Sequence, residues 1–214
     1  MKRIIIALLL GSILLGLLVS CRKNGAAAYE PTPEEFTFTE TDEPTNYVKL
    51  EMEDGSLILM ELFPQNAPIT VQNFKKLVAE HFYDGVTFHR VIQGFMIQGG
   101  DPDGDGYGGS SETIKGEFSA NGVDNPLKHT RGVLSMARTG QSYNSATSQF
   151  FIMHQDAPHL DGQYAAFGKV IAGMATVDKI ASVKTSYNNR PLHTQTMKSI
   201  RFIVIEGIES GEAK

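Results

Sequence analysis

The residues at positions 88–100, FHRVIQGFMIQGG, could form a small binding or catalytic site. They place one cation, Arg90, before alternating apolar residues and the polar Gln98, which is the pattern of half-buried strands. Phe95 and Met96 would bring an apolar and adaptable surface beside the guanidinium. An apolar slot with a cation on its rim is a candidate site, although a solvated arginine beside an ordinary core phenylalanine would give the same pattern.

The elements that must position this stretch are short strands and two helices. Residues 47–61 predict a hairpin, because apolar and polar positions alternate on both sides of the turn signal Asp54-Gly55. Apolar residues at three-and-four spacing predict helices over residues 68–78 and 174–181. Further strand-like runs cover residues 132–136, 149–153, 165–170 and 200–205. The whole pattern predicts a mainly β fold, as a closed or nearly closed antiparallel barrel.

The amino terminus has the layout of a secretory signal. Lys2 and Arg3 precede an apolar run over residues 4–19, which is slightly short for a membrane-spanning helix. Residues 18–21, Leu-Val-Ser-Cys, resemble the lipobox of bacterial lipoproteins. That resemblance implies that residues 1–20 are a cleaved signal peptide and that Cys21 carries a lipid; an uncleaved anchor is the alternative. In either case we expect an exported domain attached to a membrane of the cell envelope.

The remaining domain boundaries follow from composition. Residues 21–46 are rich in Ala, Pro, Thr and Glu, so we expect a flexible acidic spacer that cannot bury enough surface to order itself. A short docking peptide is the alternative. The folded domain is predicted over residues 47–206, with a carboxyl-terminal tail at 207–214.

Charge and cysteine content exclude several classes of protein. The chain of 214 residues has 41% hydrophobic and 20% charged residues, as expected of a folded domain with a full core. Its net charge of -5 provides no basic footprint for nucleic acid. Because Cys21 is the only cysteine, the domain has no internal disulfide. No coiled-coil pattern or excess of apolar surface residues is evident, so a monomer is expected.

One loop matches a metal-binding pattern. Asp101, Asp103, Asp105, Gly106 and Glu112 have the spacing of a calcium-binding EF-hand loop. An EF-hand also needs a helix on each side, and none is predicted here. A solvated loop rich in acids and glycines would look the same, so calcium binding stays open at this stage.

Other chemical motifs fail on their context. Gly104, Gly106 and Gly109 spell a dinucleotide-binding pattern, but no helix is predicted after them. His154 and His159 lack a second pair of ligands at metal-binding spacing, so rim histidines are the simpler interpretation. The hydrolase elbow G-x-S-x-G and the H-E-x-x-H motif are both absent. Apart from the calcium pattern left open above, no metal, cofactor or nucleophile is therefore predicted.

Several stretches taken together resemble the cyclophilin family of peptidyl-prolyl cis-trans isomerases, in the form of its bacterial exported members. They are FHRVIQGFMIQGGD (88–101), GVLSMAR (132–138), SQFFI (148–152) and LDGQYAAFGKV (160–170). The resemblance covers residues 47–206. It implies a closed eight-stranded antiparallel β-barrel capped by two α-helices, and an enzyme that accelerates rotation of Xaa-Pro bonds in proline-containing exported polypeptides without a cofactor.

The resemblance also implies roles for individual residues. Arg90 corresponds to the family's catalytic arginine, and Gln98 would fix the substrate carbonyl. The substrate-binding residues implied are Phe95, Met96, Ala137, Arg138, Gln149, Phe151, Leu160 and Tyr164.

The sequence departs from the family pattern at three positions. Arg138 stands where other members have Asn, which changes the surface charge beside the groove. His159 replaces a Trp found in many eukaryotic members, so we expect weaker cyclosporin binding. Tyr164 replaces a common His.

A module or chaperone that binds proline-containing segments without significant turnover is the alternative function, and the presence of Arg90 and Gln98 favours the isomerase.

Overall fold

The computed structural model describes residues 29–208, so the predicted signal peptide, Cys21 and most of the tail lie outside it. The strands are β1 (Phe38–Thr41), β2 (Tyr47–Met52), β3 (Leu57–Leu62), β4 (Arg90–Ile92), β5 (Met96–Gly99), β6 (Val133–Met136), β7 (Phe150–Met153), β8 (Ala166–Ala172) and β9 (Met197–Ile205), and the helices are α1 (Pro68–Ala79) and α2 (Met174–Ala181). No helix within 29–208 is long and apolar enough to cross a membrane.

The strands form one antiparallel sheet in the order β1-β9-β2-β3-β8-β6-β7-β5-β4. The mainly β fold with two helices is therefore confirmed, as is the hairpin of β2 and β3. The closed eight-stranded barrel is not confirmed. The described sheet has nine strands, and its regular pairing leaves β1 and β4 at the two edges.

Alternation along the strands separates an inner face from an outer face. The inner face and the apolar stripes of both helices form the largest core cluster. Phe74 of α1 lies at its centre, with ring centroids 5.5 Å from Phe150 and 5.2 Å from Phe167. Because both helices bury their apolar faces here, the inner face is filled, and any site must lie on the outer face.

Helix α1 begins at Pro68, where proline is favoured because its missing N–H would be unpaired anyway. The backbone N–H groups of the next two residues are hydrogen-bonded by a side chain from a distant loop. The buried Glu117 carboxylate accepts the Ile69 N–H at 3.0 Å, the Thr70 N–H at 2.7 Å and the Thr70 hydroxyl at 2.6 Å. This anion at the helix N-terminus fixes the 110–118 loop against α1.

The amino-terminal segment, residues 29–46, differs from the predicted flexible spacer. Strand β1 pairs with β9 from Phe38 opposite Ile205 to Thr41 opposite Phe202. Phe36 and Phe38 pack on an outer cluster that contains Leu59, Ile203 and Ile205. The composition of this segment is poor in aliphatic residues, but two phenylalanines and an open strand edge are enough to order it. Thus part of the predicted spacer belongs to the folded domain.

Candidate active site

One row of outward-facing side chains crosses three neighbouring strands. Arg90 of β4 lies opposite Gln98 of β5, which lies opposite Phe151 of β7. Side chains alternate between the faces of a strand, so the neighbours of Arg90 and Gln98 along their strands, Val91 and Ile97, are buried in the core. The strand register therefore places a cation, an amide and an aromatic ring side by side.

The polar side of this row is a chain of directed hydrogen bonds. Arg90 Nη1 donates to Gln98 Oε1 at 3.1 Å and also lies 4.0 Å from Met96 Sδ. Gln98 Nε2 donates to Gln149 Oε1 at 2.8 Å, and Gln149 Nε2 donates to the carbonyls of Gly108 at 2.8 Å and Gly106 at 3.2 Å. The partners of the guanidinium are thus neutral groups, and the 101–109 loop anchors the far end of the chain.

The apolar side of the row is a separate cluster on the outer face. Its buried members at the site are Met96, Phe151 and Leu160, and Phe95, Ala137 and Tyr164 are partly buried against them. The ring of Tyr164 meets Phe151 edge-on at 5.9 Å. On the opposite rim, the ring of His159 stacks on Phe95 at 5.6 Å. This cluster, hereafter the pocket, forms an apolar surface with aromatic rings beside the polar row.

The arrangement can act on a bond without forming a covalent intermediate, because it offers a fixed guanidinium and amide beside an apolar pocket. The family model of the cyclophilin-type peptidyl-prolyl cis-trans isomerases matches residues 47–202, which contain this whole site. The chain belongs to the cyclophilins. It is therefore a peptidyl-prolyl cis-trans isomerase.

Known cyclophilins resemble this chain along most of its folded part. Peptidyl-prolyl cis-trans isomerase B of Bacillus subtilis is 52% identical over 123 residues, which are 58% of this chain and 82% of the relative. A peptidyl-prolyl cis-trans isomerase-like 1 protein of Gibberella zeae is 45% identical over 163 residues, covering 76% of this chain and 96% of the relative.

A solved structure shares the fold. The crystal structure of a Cryptosporidium parvum cyclophilin-type isomerase, determined in the presence of the dipeptide Ala-Pro, matches with a TM-score of 0.67 and 34% identity. The match covers 72% of this chain and 97% of that chain.

The structure brings together the described residues to which the resemblance gives a role in the site. Arg90, Gln98 and Gln149 form its polar part, and Phe95, Met96, Phe151 and Leu160 form the pocket. Ala137 and Arg138 line an adjoining cavity of about 380 Å³ that also borders Gln98 and Gln149. The lipidation residue Cys21 lies outside the described residues.

The calcium-like pattern of residues 101–112 does not assemble as an EF-hand. The Asp101 carboxylate accepts the N–H groups of Asp103 at 3.0 Å and Gly106 at 2.6 Å, which closes the loop on itself. Glu112, the acid at position twelve, instead pairs with Lys76 of α1 at 3.1 Å. Within residues 29–208, no three acidic, histidine or cysteine side chains are grouped to bind a metal ion.

Two histidines support the pocket. Nothing in the sequence singles out His129, whereas His154 is one of the two predicted rim histidines. The buried ring of His129 stacks behind Phe151 at 6.1 Å and lies between Asp161 at 3.1 Å and Ser135 at 3.0 Å. Burial lowers the pKa of His129, so the ring is kept neutral. His154 Nδ1 accepts the Gly94 N–H at 3.0 Å, in the turn just before Phe95. Both histidines contact residues remote in sequence, His129 at Asp161 and His154 at Gly94, and neither contact leaves a local pattern.

Proposed function

We propose that Arg90 catalyses isomerisation by stabilising the twisted amide. Rotation about an Xaa-Pro bond has a barrier of about 18–20 kcal/mol because amide resonance must be broken. In the twisted state the prolyl nitrogen becomes pyramidal and gains a lone pair. A guanidinium fixed near this nitrogen would stabilise the twisted state more than either planar state, which is the condition for catalysis.

The other site residues would fix the two sides of the rotating bond. The pocket of Phe95, Met96, Phe151 and Leu160 would bury the proline ring, as its apolar and aromatic side chains suggest. Gln98 would bind the substrate carbonyl on the acyl side. Ala137, the backbone of residue 138 and Tyr164 would border the path of the preceding residues.

The observation that carries this proposal is that Arg90 bonds neutral groups only. Its Nη1 contacts Gln98 Oε1 and Met96 Sδ, and it forms no ion pair within residues 29–208. A neighbouring carboxylate would already neutralise the positive charge. Because the partners are neutral, the charge stays available to the substrate while its position is fixed.

The test compares two replacements of Arg90 in the purified full-length chain. We expect Arg90→Ala to lower kcat/KM for a short Xaa-Pro peptide about a hundredfold, and Arg90→Lys to lower it about tenfold because lysine retains the charge without the planar fork. Binding of the dipeptide Ala-Pro should change by less than about threefold in both variants, since the pocket is unaltered. If both variants retained the parental kcat/KM, the proposed role of Arg90 would be wrong.

We also propose that the enzyme acts on exported proteins from the surface of a membrane. The basic residues 2–3, the apolar run and the lipobox-like residues 18–21 support export with a lipid on Cys21. Prolyl isomerisation is slow enough to limit folding of such proteins. Cys21→Ser should move the protein from the membrane fraction to the soluble fraction. If the variant stayed membrane-bound, an uncleaved anchor would replace the lipid in this account.

Light scattering of the soluble form should give a monomer.

We further infer that strands β2 to β9 act as an eight-stranded barrel, with β1 added outside it. Backbone bonds between residues 85–88 and 195–197 support this, including Gly85 N to Met197 O and Met197 N to Val86 O, both at 2.9 Å. A barrel joined there would keep β4, and hence Arg90, in place. Slow hydrogen exchange of the Met197 amide would agree with this, and exchange at the rate of a fraying edge would contradict it.

A further inference from the structure

The guanidinium of Arg138 is fixed between aromatic rings at the edge of the active site. Its central carbon lies 4.7 Å from the ring centroid of Tyr164, 4.9 Å from that of Tyr143 and 5.5 Å from that of Phe118. Nε donates to the Gln163 carbonyl at 3.0 Å, and Nη1 donates to the carbonyl of the following residue at 2.9 Å. Such stacking and bonding hold the planar cation in one orientation.

The charge of Arg138 is not compensated by a carboxylate. Arg131 and Arg201 both bond carboxylates, but none of the ion pairs formed within residues 29–208 includes Arg138. Its Nη2 group donates no hydrogen bond to this part of the chain. The chain as a whole is negative, with a net charge of -5. Arg138 therefore provides a local positive charge, with a free N–H donor, at the edge of the site.

Arg138 borders a cavity that continues from the catalytic row. The cavity has a volume of about 380 Å³, and its lining includes Arg138, Thr139, Tyr107, Gln98 and Gln149. Gln98 belongs to the side of the site assigned to the acyl part of the substrate, and Gln149 is hydrogen-bonded to it. The residues that precede the Xaa-Pro bond would therefore enter this cavity, and their side chains would meet Arg138.

We propose that Arg138 is a specificity-determining residue, which selects polypeptide segments with an Asp or Glu one or two residues before the proline. This inference rests on the proposed function, since it uses the same orientation of the substrate. A carboxylate in the cavity would accept a charge-assisted hydrogen bond from Nη2. The guanidinium is half-buried and already held in one orientation, so the pairing would cost less side-chain entropy than that of two mobile surface charges.

The experiment compares pairs of peptides that differ only in Glu or Gln, placed one or two residues before the proline. We expect the purified full-length chain to favour the better Glu peptide about five- to tenfold in kcat/KM, measured by exchange NMR. Arg138→Gln should bring this ratio to about one, and Arg138→Lys should leave an intermediate ratio. High salt should reduce the parental ratio, because the pairing is partly solvated. Lys169→Gln removes the same charge from an exposed site on β8 and should leave the ratio unchanged.

The ratio separates specificity from a purely structural role. If Arg138 only tied the 139–146 loop to Tyr164, Arg138→Gln would lower the kcat/KM of both peptides by the same factor. That outcome, or a parental ratio of one at both positions, would overturn the proposal. Should Arg90→Ala prove fully active, the mechanism proposed above would fail while the Glu/Gln ratio still reported on Arg138. If the parent turned over neither peptide, the ratio of their binding constants would provide the readout.

Discussion

Two arginines of this cyclophilin, Arg90 and Arg131, are fixed by opposite kinds of partner. Arg131 binds Glu30 through Nε at 2.6 Å and Nη2 at 2.9 Å, and it binds both carboxylate oxygens of Asp178 at 2.7 and 2.8 Å. Arg90 instead bonds an amide oxygen and a sulfur atom. A compensated charge suits a structural role, whereas an uncompensated charge stays available to a ligand.

The compensated arginine joins parts of the chain that are far apart in sequence. Hydrogen bonds from Arg131 lower the pKa of Glu30 and of Asp178, and both carboxylates raise the pKa of Arg131. Glu30 belongs to the amino-terminal segment and Asp178 to α2, so the network ties that segment to the domain. Its charges are already paired, and we expect it to contribute to stability and little to catalysis.

The largest effect should come from making the site of Arg90 resemble that of Arg131. Gln98→Glu places a carboxylate against the guanidinium, which compensates the charge that the substrate would use. We expect kcat/KM for an Xaa-Pro peptide to fall about thirty- to a hundredfold. Gln98→Met has a similar length without the charge and should cost less than Gln98→Glu. Equal losses in the two variants would show that the lost amide, and not the added charge, is responsible.

Removing the compensated cation should change stability instead. Arg131→Gln removes the guanidinium from Glu30 and Asp178, although Asp178 keeps His154 Nε2 at 3.3 Å. We expect the free energy of unfolding in urea to fall by about 1–2 kcal/mol. The kcat/KM should stay within about threefold of the parent. A much larger loss of activity would mean that Arg131 acts on the active site through its bond to the His154 carbonyl at 2.9 Å.

The same network predicts a loss of stability in acid. Carboxylates with a folded-state pKa below the unfolded value contribute stability above the unfolded pKa, and this is lost as the pH falls through the folded pKa. For Glu30 and Asp178 the loss begins near the ordinary values of 4.5 and 3.8 and continues below them. We expect a contribution of roughly 1 kcal/mol, because both groups are partly exposed. Urea titrations at pH 6 and pH 3 should differ less in Arg131→Gln than in the parent; an equal difference would contradict this assignment.

The smallest effect should follow from a change in the amino-terminal segment alone. Glu30→Gln keeps the shape of the side chain and the bonds of Arg131 to Asp178. We expect a loss of about 0.5 kcal/mol in unfolding free energy and faster proteolytic cleavage within residues 29–36. Isomerase activity should not change. Glu43→Gln, in the same segment but outside the network, provides the control and should cleave at the parental rate.

The strands and helices around the site were predictable because their patterns are local. Arg90, Gln98 and Phe95 were recognised from a single stretch, and the β4–β5 hairpin has the turn expected at Gly94, whose φ is +78°. Strand β1 was not predicted, because its order depends on an edge of β9 that lies far along the chain.

The contacts around Arg138 escaped prediction for a similar reason. Phe118, Tyr143 and Tyr164 come from three separate loops, and no spacing in the sequence announces that they meet. The bonds of Gln149 to the 101–109 loop likewise join remote segments. Sequence patterns thus gave the elements and the types of residue, but side-chain partners across loops required the fold.

The most direct test of the contrast between the two arginines is the kcat/KM of Arg90→Gln measured beside that of Arg131→Gln, with the same peptide and buffer. We predict that Arg90→Gln is at least about thirtyfold less active than Arg131→Gln, because only Arg90 has a charge left for the twisted amide. If the two variants had the same activity within about threefold, the uncompensated charge of Arg90 would not be the source of catalysis.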